Sequence, residues 1–181
     1  MNRREKLLLL LLGLTGLGAW LWFTQSGRAI AQSAGDVVDT GVKIVESLIR
    51  GERNNNPGNI RISAAAWRGK IAPNTDGAFE QFDTPENGLR AMAMVLKNYQ
   101  VKYGLNTVRG IISRWAPGNE NDTGSYVADV SNDMNVTADQ TISLLSPLTL
   151  SQLVTAVIKH ENGRVGYSQD QIIAGVNRAF A

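Results

Sequence analysis

The run from Leu7 to Phe23 contains no charged side chain, and it constrains this chain more than any other feature. A segment so apolar must leave water, either in a bilayer or under a protein core. As a helix rising about 1.5 Å per residue it spans roughly 25 Å, at the short edge of a bilayer crossing. Arg3, Arg4 and Lys6 precede it, and Trp20 and Trp22 stand at its far end. A basic flank favours the inside of the membrane and tryptophans favour the opposite interface. The pattern predicts a transmembrane anchor over 1–24, contacting the membrane through residues 7–23, with the rest of the chain facing the periplasm and cell wall. Ala29-Ile30-Ala31 also fits a signal-peptidase site, and the glycines in the run fit a releasable anchor. Residues 25–35 are small and polar and read as a linker. Residues 36–181 are enough for one globular domain with a core of its own.

Charge and composition exclude several classes. The net charge of +2 is set by the N-terminal segment. Residues 1–34 hold four basic side chains and one acid, which leaves 14 basic and 15 acidic over 35–181. The globular part therefore lacks the positive surplus of a nucleic-acid module, and no nucleic-acid partner is expected. There is no cysteine, hence no disulfide, thiol nucleophile or zinc–thiolate site. His160 is the single histidine, which rules out an HExxH hydrolase, and no G-x-S-x-G elbow is present. No metal and no cofactor is implied.

Apolar spacing divides the domain into helices. Val38, Val42, Val45 and Ile49 predict an amphipathic helix over 37–49. The turn-rich stretch Asn54-Asn55-Asn56-Pro57-Gly58-Asn59 cannot continue it. Ile60, Ile62, Trp67, Ile71, Phe79 and Phe82 suggest short strands between glycines and prolines. Asp83 or Thr84 then caps a helix with Leu89, Met92, Ala93, Leu96, Tyr99 and Tyr103 on one face, and Gly104 ends it. Thr107 caps a helix that Pro117 stops. Further helices are expected over 125–132, over 149–160 and from Ser168, where Ser168 and Gln171 form a capping box. The expected class is mainly α (α+β), with a small β element.

Within the helix at 149–160 the stripe Leu150, Leu153, Val154, Val157 and Ile158 runs on to Glu161, four after Val157 and three after Ile158. A carboxyl rarely takes such a place without a reason. Burial and the negative end of a helix dipole both disfavour a carboxylate's charge. A carboxyl able to keep its proton is what protonation of a glycosidic oxygen requires. The same placement also suits a solvated glutamate in a helix-ending turn, paired with Arg164. Glu120 and Asp122 flank Asn121 after Pro117 and are candidates for a second acid, or for a turn and an N-cap. Glu46 is a further carboxyl near a helix end. The amides of Asn55, Asn56, Asn59 and Asn162, with the rings of Trp67, Tyr99, Trp115 and Tyr126, suit a sugar groove: amides read hydroxyl and N-acetyl groups and rings cover sugar faces. Trp115 and Tyr99, on helical stripes, suit a core better than a groove.

Taken together and in order, Arg53-Asn54-Asn55-Asn56-Pro57-Gly58-Asn59-Ile60-Arg61, Trp67-Arg68-Gly69, Phe79-Glu80-Gln81-Phe82, Thr84-Pro85-Glu86-Asn87-Gly88-Leu89-Arg90-Ala91, Arg114-Trp115-Ala116-Pro117, Glu120-Asn121-Asp122-Thr123 and His160-Glu161-Asn162-Gly163 resemble a family of phage and prophage proteins described as virion structural proteins or lytic enzymes. The stretch from Leu153 to Gly163 is also similar to the catalytic helix of lytic transglycosylases, which ends in a glutamate followed by small residues. Asn55 to Arg61, Trp67 and Phe79 to Tyr99 are similar to a stretch of bacterial glucosaminidases. In those enzymes the catalytic glutamate precedes the other motifs, whereas Glu161 follows them. Either the order is permuted or Glu46 is the counterpart. The phage family's shared part begins near Arg53, which favours Glu161.

The resemblance implies a lysozyme-like domain that cuts the β-1,4 glycan backbone of peptidoglycan as a lytic transglycosylase or muramidase. Glu161 would be the proton donor, and Glu120 or Asp122 would stabilise the cation or activate water. Glycan strands, and other virion proteins, are the expected partners. The expected place is a virion or a phage-lysis apparatus. A non-enzymatic virion protein that binds peptidoglycan is the alternative, followed by a peptidase of the stem peptides.

Overall fold

The computed structural model describes residues 50–118 and 122–181. The apolar run 7–23, the stretch 25–49 with Glu46, and Glu120 lie outside the described residues. Among the described residues no helix is long and apolar enough to cross a membrane.

Among the described residues a helical segment at 50–53 is followed by five helices: α1 (Pro85–Tyr103), α2 (Val108–Trp115), α3 (Thr123–Met134), α4 (Pro147–Asn162) and α5 (Gln169–Arg178). Local chemistry sets their starts. Thr84 caps α1 by accepting from the Asn87 N–H, with Pro85 in the first turn. Thr107 does the same for α2 through Gly110. Ser168 and Gln171 form the expected reciprocal capping box of α5. Asp122 caps α3, and Ser146 with Pro147 starts α4 two residues before the apolar stripe predicts.

The core is built by side chains from all of these helices. Leu89, Met92, Ala93 and Leu96 of α1 meet Val108, Ile111 and Ile112 of α2 and the α4 stripe Leu150, Leu153, Val154, Val157 and Ile158. Val127 and Val130 of α3 and Ile172 and Val176 of α5 complete it. Each fully buried Leu, Ile or Val stabilises the fold by about 1.5–3 kcal/mol relative to its exposure. α1 lies mainly on α5, and α4 touches α1, α3 and α5.

Between 60 and 82 the expected strands reduce to isolated bridges, Arg61 with Phe79 and Lys70 with Phe82. The reason lies in the side chains. Asn74, Asp76, Gln81 and Glu80 take backbone N–H groups that a ladder would have used, as in Thr75 N–H to Gln81 Oε1 at 2.8 Å and Ser63 N–H to Glu80 Oε1 at 2.9 Å. Ile62 and Ile71 are correspondingly exposed rather than packed in a sheet.

Candidate functional site

Glu161 occupies the last turn of α4, at the edge of its buried stripe, and is partly exposed. Trp115 ends α2 and Tyr126 lies in the first turns of α3, and both side chains reach Glu161. Thr123 donates to the Ala116 carbonyl at 2.7 Å. The Trp115 indole N–H donates to Glu161 Oε1 at 3.1 Å, and the Tyr126 hydroxyl donates to the same oxygen at 2.8 Å. Both bonds fall on Oε1, which fixes the carboxyl plane and leaves Oε2 for a ligand.

Tyr126 is itself held. Its ring is buried, and the His160 ring stacks on it with centroids 3.6 Å apart and planes at 22°. His160 Nδ1 lies 2.9 Å from Asp129 Oδ2. Burial first, then the charge of Glu161 and the hydrogen bond to it, push the Tyr126 hydroxyl well above the ordinary tyrosine range. It stays a neutral donor to the carboxylate.

The loop 54–59 forms the opposite wall. Asn55 and Asn59 both have left-handed backbones, with φ of 48° and 46°, and asparagine tolerates that region better than other non-glycine residues. Gly58 lies flat against the Trp115 indole: a Cβ there would stand 2.9 Å from Cη2 and Cζ2. Asn162 reaches across to the same loop, its Nδ2 donating to the Pro57 carbonyl at 3.3 Å and to the Ile158 carbonyl at 3.1 Å. A groove of about 490 Å3 results, lined by Gly58, Asn59, Ile60, Arg61, Phe79, Val95, Tyr99, Trp115, Ala116 and Glu161.

With this geometry in view, comparison with known proteins is informative. No family model matches the sequence. Over 139 residues the chain is 40% identical to protein P5 of Pseudoalteromonas phage PM2, a match that covers 75% of this chain and 85% of that protein. The chain belongs to the family of that phage protein.

Of the residues that the sequence singles out, Glu161, Asn59, Tyr99 and Trp115 line the groove, and Tyr126 and Asn162 stand behind it as supports. Three others are turned to structural use. Asn56 is fully buried, donates to the Ile60 and Glu80 carbonyls at 2.9 Å each, and accepts from the Ile60 N–H. Asn55 donates to the Phe82 carbonyl at 2.9 Å. Both amides are used in closing the loop that carries Asn59. Asp122 is exposed and accepts from the Ser125 N–H at 3.1 Å as a helix cap, away from the groove lining. Trp67 also lies outside that lining, half-buried in the 60–82 segment.

The structure adds residues to which sequence reasoning assigned no role. Arg61 and Phe79 line the groove side by side, with the guanidinium 5.7 Å from the ring centroid. Glu80 is fully buried behind them, where Lys70 Nζ (2.9 Å) and the Ser63 N–H and hydroxyl all donate to its Oε1. Glu80 shares strand parity with the buried Phe82, which is the one signal that marks it in the sequence. Among the described residues no group of His, Asp and Glu side chains is disposed to hold a metal ion.

Proposed function

We propose that this chain cuts the β-1,4 glycan backbone of peptidoglycan, with Glu161 donating the proton to the glycosidic oxygen. The observation that carries the reading is the pair of neutral donors, Trp115 and Tyr126, fixing one oxygen of a carboxyl that lines the groove. A fixed carboxyl with one oxygen toward the ligand suits general acid chemistry. Ring faces (Tyr99, Phe79) and the Asn59 amide suit sugar rings and their N-acetyl groups.

Among the described residues Glu161 is the carboxylate that lines the groove. The route proposed here uses Glu161 alone, first as acid and then as base. Glu161 protonates the leaving oxygen, and the C1–O bond breaks. The same carboxylate, now a base, takes the proton from the muramic 6-hydroxyl as its oxygen bonds to C1. The products are a free 4-hydroxyl end and a 1,6-anhydro end. In this reading the domain is lysozyme-like, is tethered by residues 7–23, and belongs to a phage particle that opens the wall locally. Membership in a phage protein family supports that setting.

The test is digestion of purified peptidoglycan by the full-length chain, with mass analysis of the sugar ends, beside Glu161→Gln. Anhydro ends are expected, and Glu161→Gln should cut at least about a thousandfold more slowly while keeping its melting temperature. Reducing ends would replace the transglycosylase with a hydrolase. Undiminished cleavage by Glu161→Gln would remove the site assignment. No cleavage by folded wild-type protein would favour a non-enzymatic peptidoglycan-binding virion protein.

A further inference from the structure

Beside the groove lies a second cavity of about 640 Å3, lined in part by Tyr99, Tyr103, Leu105, Ser113, Arg114 and Pro117. Tyr99 lines both spaces, which places them side by side. Arg114 and Trp115 are neighbours on α2 but serve different spaces, Trp115 turning to Glu161 and Arg114 to this cavity. The Arg114 guanidinium lies 3.7 Å over the Tyr103 ring centroid and 5.2 Å from that of Tyr99. The two rings stand 6.5 Å apart, edge to face.

Arg114 is held by two aromatic rings, where several other arginines are held by carboxylates. Arg109 is paired with Asp139 at 2.8 Å, Arg164 with Glu52 at 2.7 Å, and Arg50 and Arg53 with Asp76 at 3.4 and 3.6 Å. Arg114 has no carboxylate partner among the described residues, although it is held by two rings. A guanidinium stacked on aromatic faces is orientationally restrained and weakly hydrated, and the N–H groups along its edge remain available. Its planar fork matches a carboxylate in two parallel hydrogen bonds. Tyr103, 55% exposed, extends the shelf into solvent.

We propose that the Arg114–Tyr103–Tyr99 shelf is a subsite for a carboxylate that the glycan carries beside its backbone. The inference rests on the glycan reading of the groove and deepens it: the chain selects an acid-bearing glycan over a neutral one. Peptidoglycan offers such a carboxylate in two places, on the stem peptide and, once the stem is removed, on the lactyl ether of muramic acid.

The experiment measures binding of the full-length chain, and of Arg114→Gln and Tyr103→Leu, to three soluble glycans. These are peptide-bearing strands, strands stripped by an amidase so that only lactyl carboxylates remain, and chitin oligomers with no carboxylate. Wild type is expected to bind peptide-bearing strands about tenfold more tightly than chitin oligomers, the scale of one charge-assisted contact. Arg114→Gln should erase that advantage and leave chitin affinity unchanged, and Tyr103→Leu should reduce it. An advantage kept by stripped strands assigns the lactyl group; one lost with the peptides assigns the stem. Equal binding of all three glycans by wild type, or an advantage that survives Arg114→Gln, overturns the subsite while leaving the glycan reading in place. Binding to none of the three overturns both.

Discussion

Gly88→Ala tests the seat of the loop that forms one wall of the groove. Gly88 lies in α1, and a Cβ built there would stand 1.6 Å from the Asn55 carbonyl oxygen, 2.8 Å from its carbon and 3.2 Å from Pro57 Cδ. Helix and loop therefore meet backbone to backbone. To reach even 3.0 Å the carbonyl must retreat by about 1.4 Å. It cannot do so freely, because Asn55 and Asn56 tie the loop to Phe82, Ile60 and Glu80 by bonds of 2.9 Å. Overpacking of this kind costs about 1–3 kcal/mol or more, and the rigidity of the loop places it at the upper end. Alanine regains about 1 kcal/mol of helix propensity over glycine. The net loss should be about 2 kcal/mol, or about 4–8 °C in melting temperature for a domain of this size. Thermal unfolding followed by circular dichroism measures it. Gly124→Ala is the control, since a Cβ there meets nothing closer than Asp122 Oδ1 at 3.5 Å. A Gly88→Ala melting temperature equal to or above wild type would refute the seating of the loop on α1.

Further perturbations probe the site itself. Gly58→Ala should push the Trp115 indole away from Glu161, because its Cβ would stand 2.9 Å from that ring; glycan cleavage should fall by about ten- to a hundredfold with a smaller loss in stability. Tyr126→Phe should change the alkaline limb of stability. The native Tyr126 keeps its proton above pH ~10, where an unfolded tyrosine loses it, so its stabilisation is complete below that pH and declines as pH rises, by about 1.4 kcal/mol per unit. Urea midpoints should fall less steeply with pH in the phenylalanine variant, and an unchanged slope would contradict the buried hydroxyl. Asp76 is held below the usual carboxylate range mainly by the Asn54 amide, with Arg50 adding to it. Its stabilisation is present above the unfolded value and is lost as pH falls from there through the lower folded one. Asp76→Asn should therefore unfold at lower urea near neutral pH and lose less on acidification.

Much of the fold follows from rules that act within one turn of chain. Thr84, Thr107 and the Ser168–Gln171 pair announce their helices because a cap needs only a hydroxyl and an N–H three residues on. The start of α4 is less visible because Leu148 points outward, 71% exposed, and breaks the apolar stripe. The placement of Glu161 is legible for the same local reason: it falls at the edge of a helical stripe. Its two donors are not, since they come from 46 and 35 residues away and converge only through packing of α2 and α3 on α4. The asparagines show a related limit. Their amides mark a polar loop, but nothing in the one-dimensional pattern tells whether an amide faces a ligand or, as with Asn56, the loop's own carbonyls.

The bond from the Trp115 indole to Glu161 also gives the site an optical signal. Indole emission responds to charge beside the N–H, so protonation of that carboxyl, or a ligand bound against it, should change the colour and yield of Trp115 fluorescence. Subtracting the spectrum of Trp115→Phe removes the emission of Trp20, Trp22 and Trp67. What remains reads the state of one carboxyl directly, without a label and without turnover.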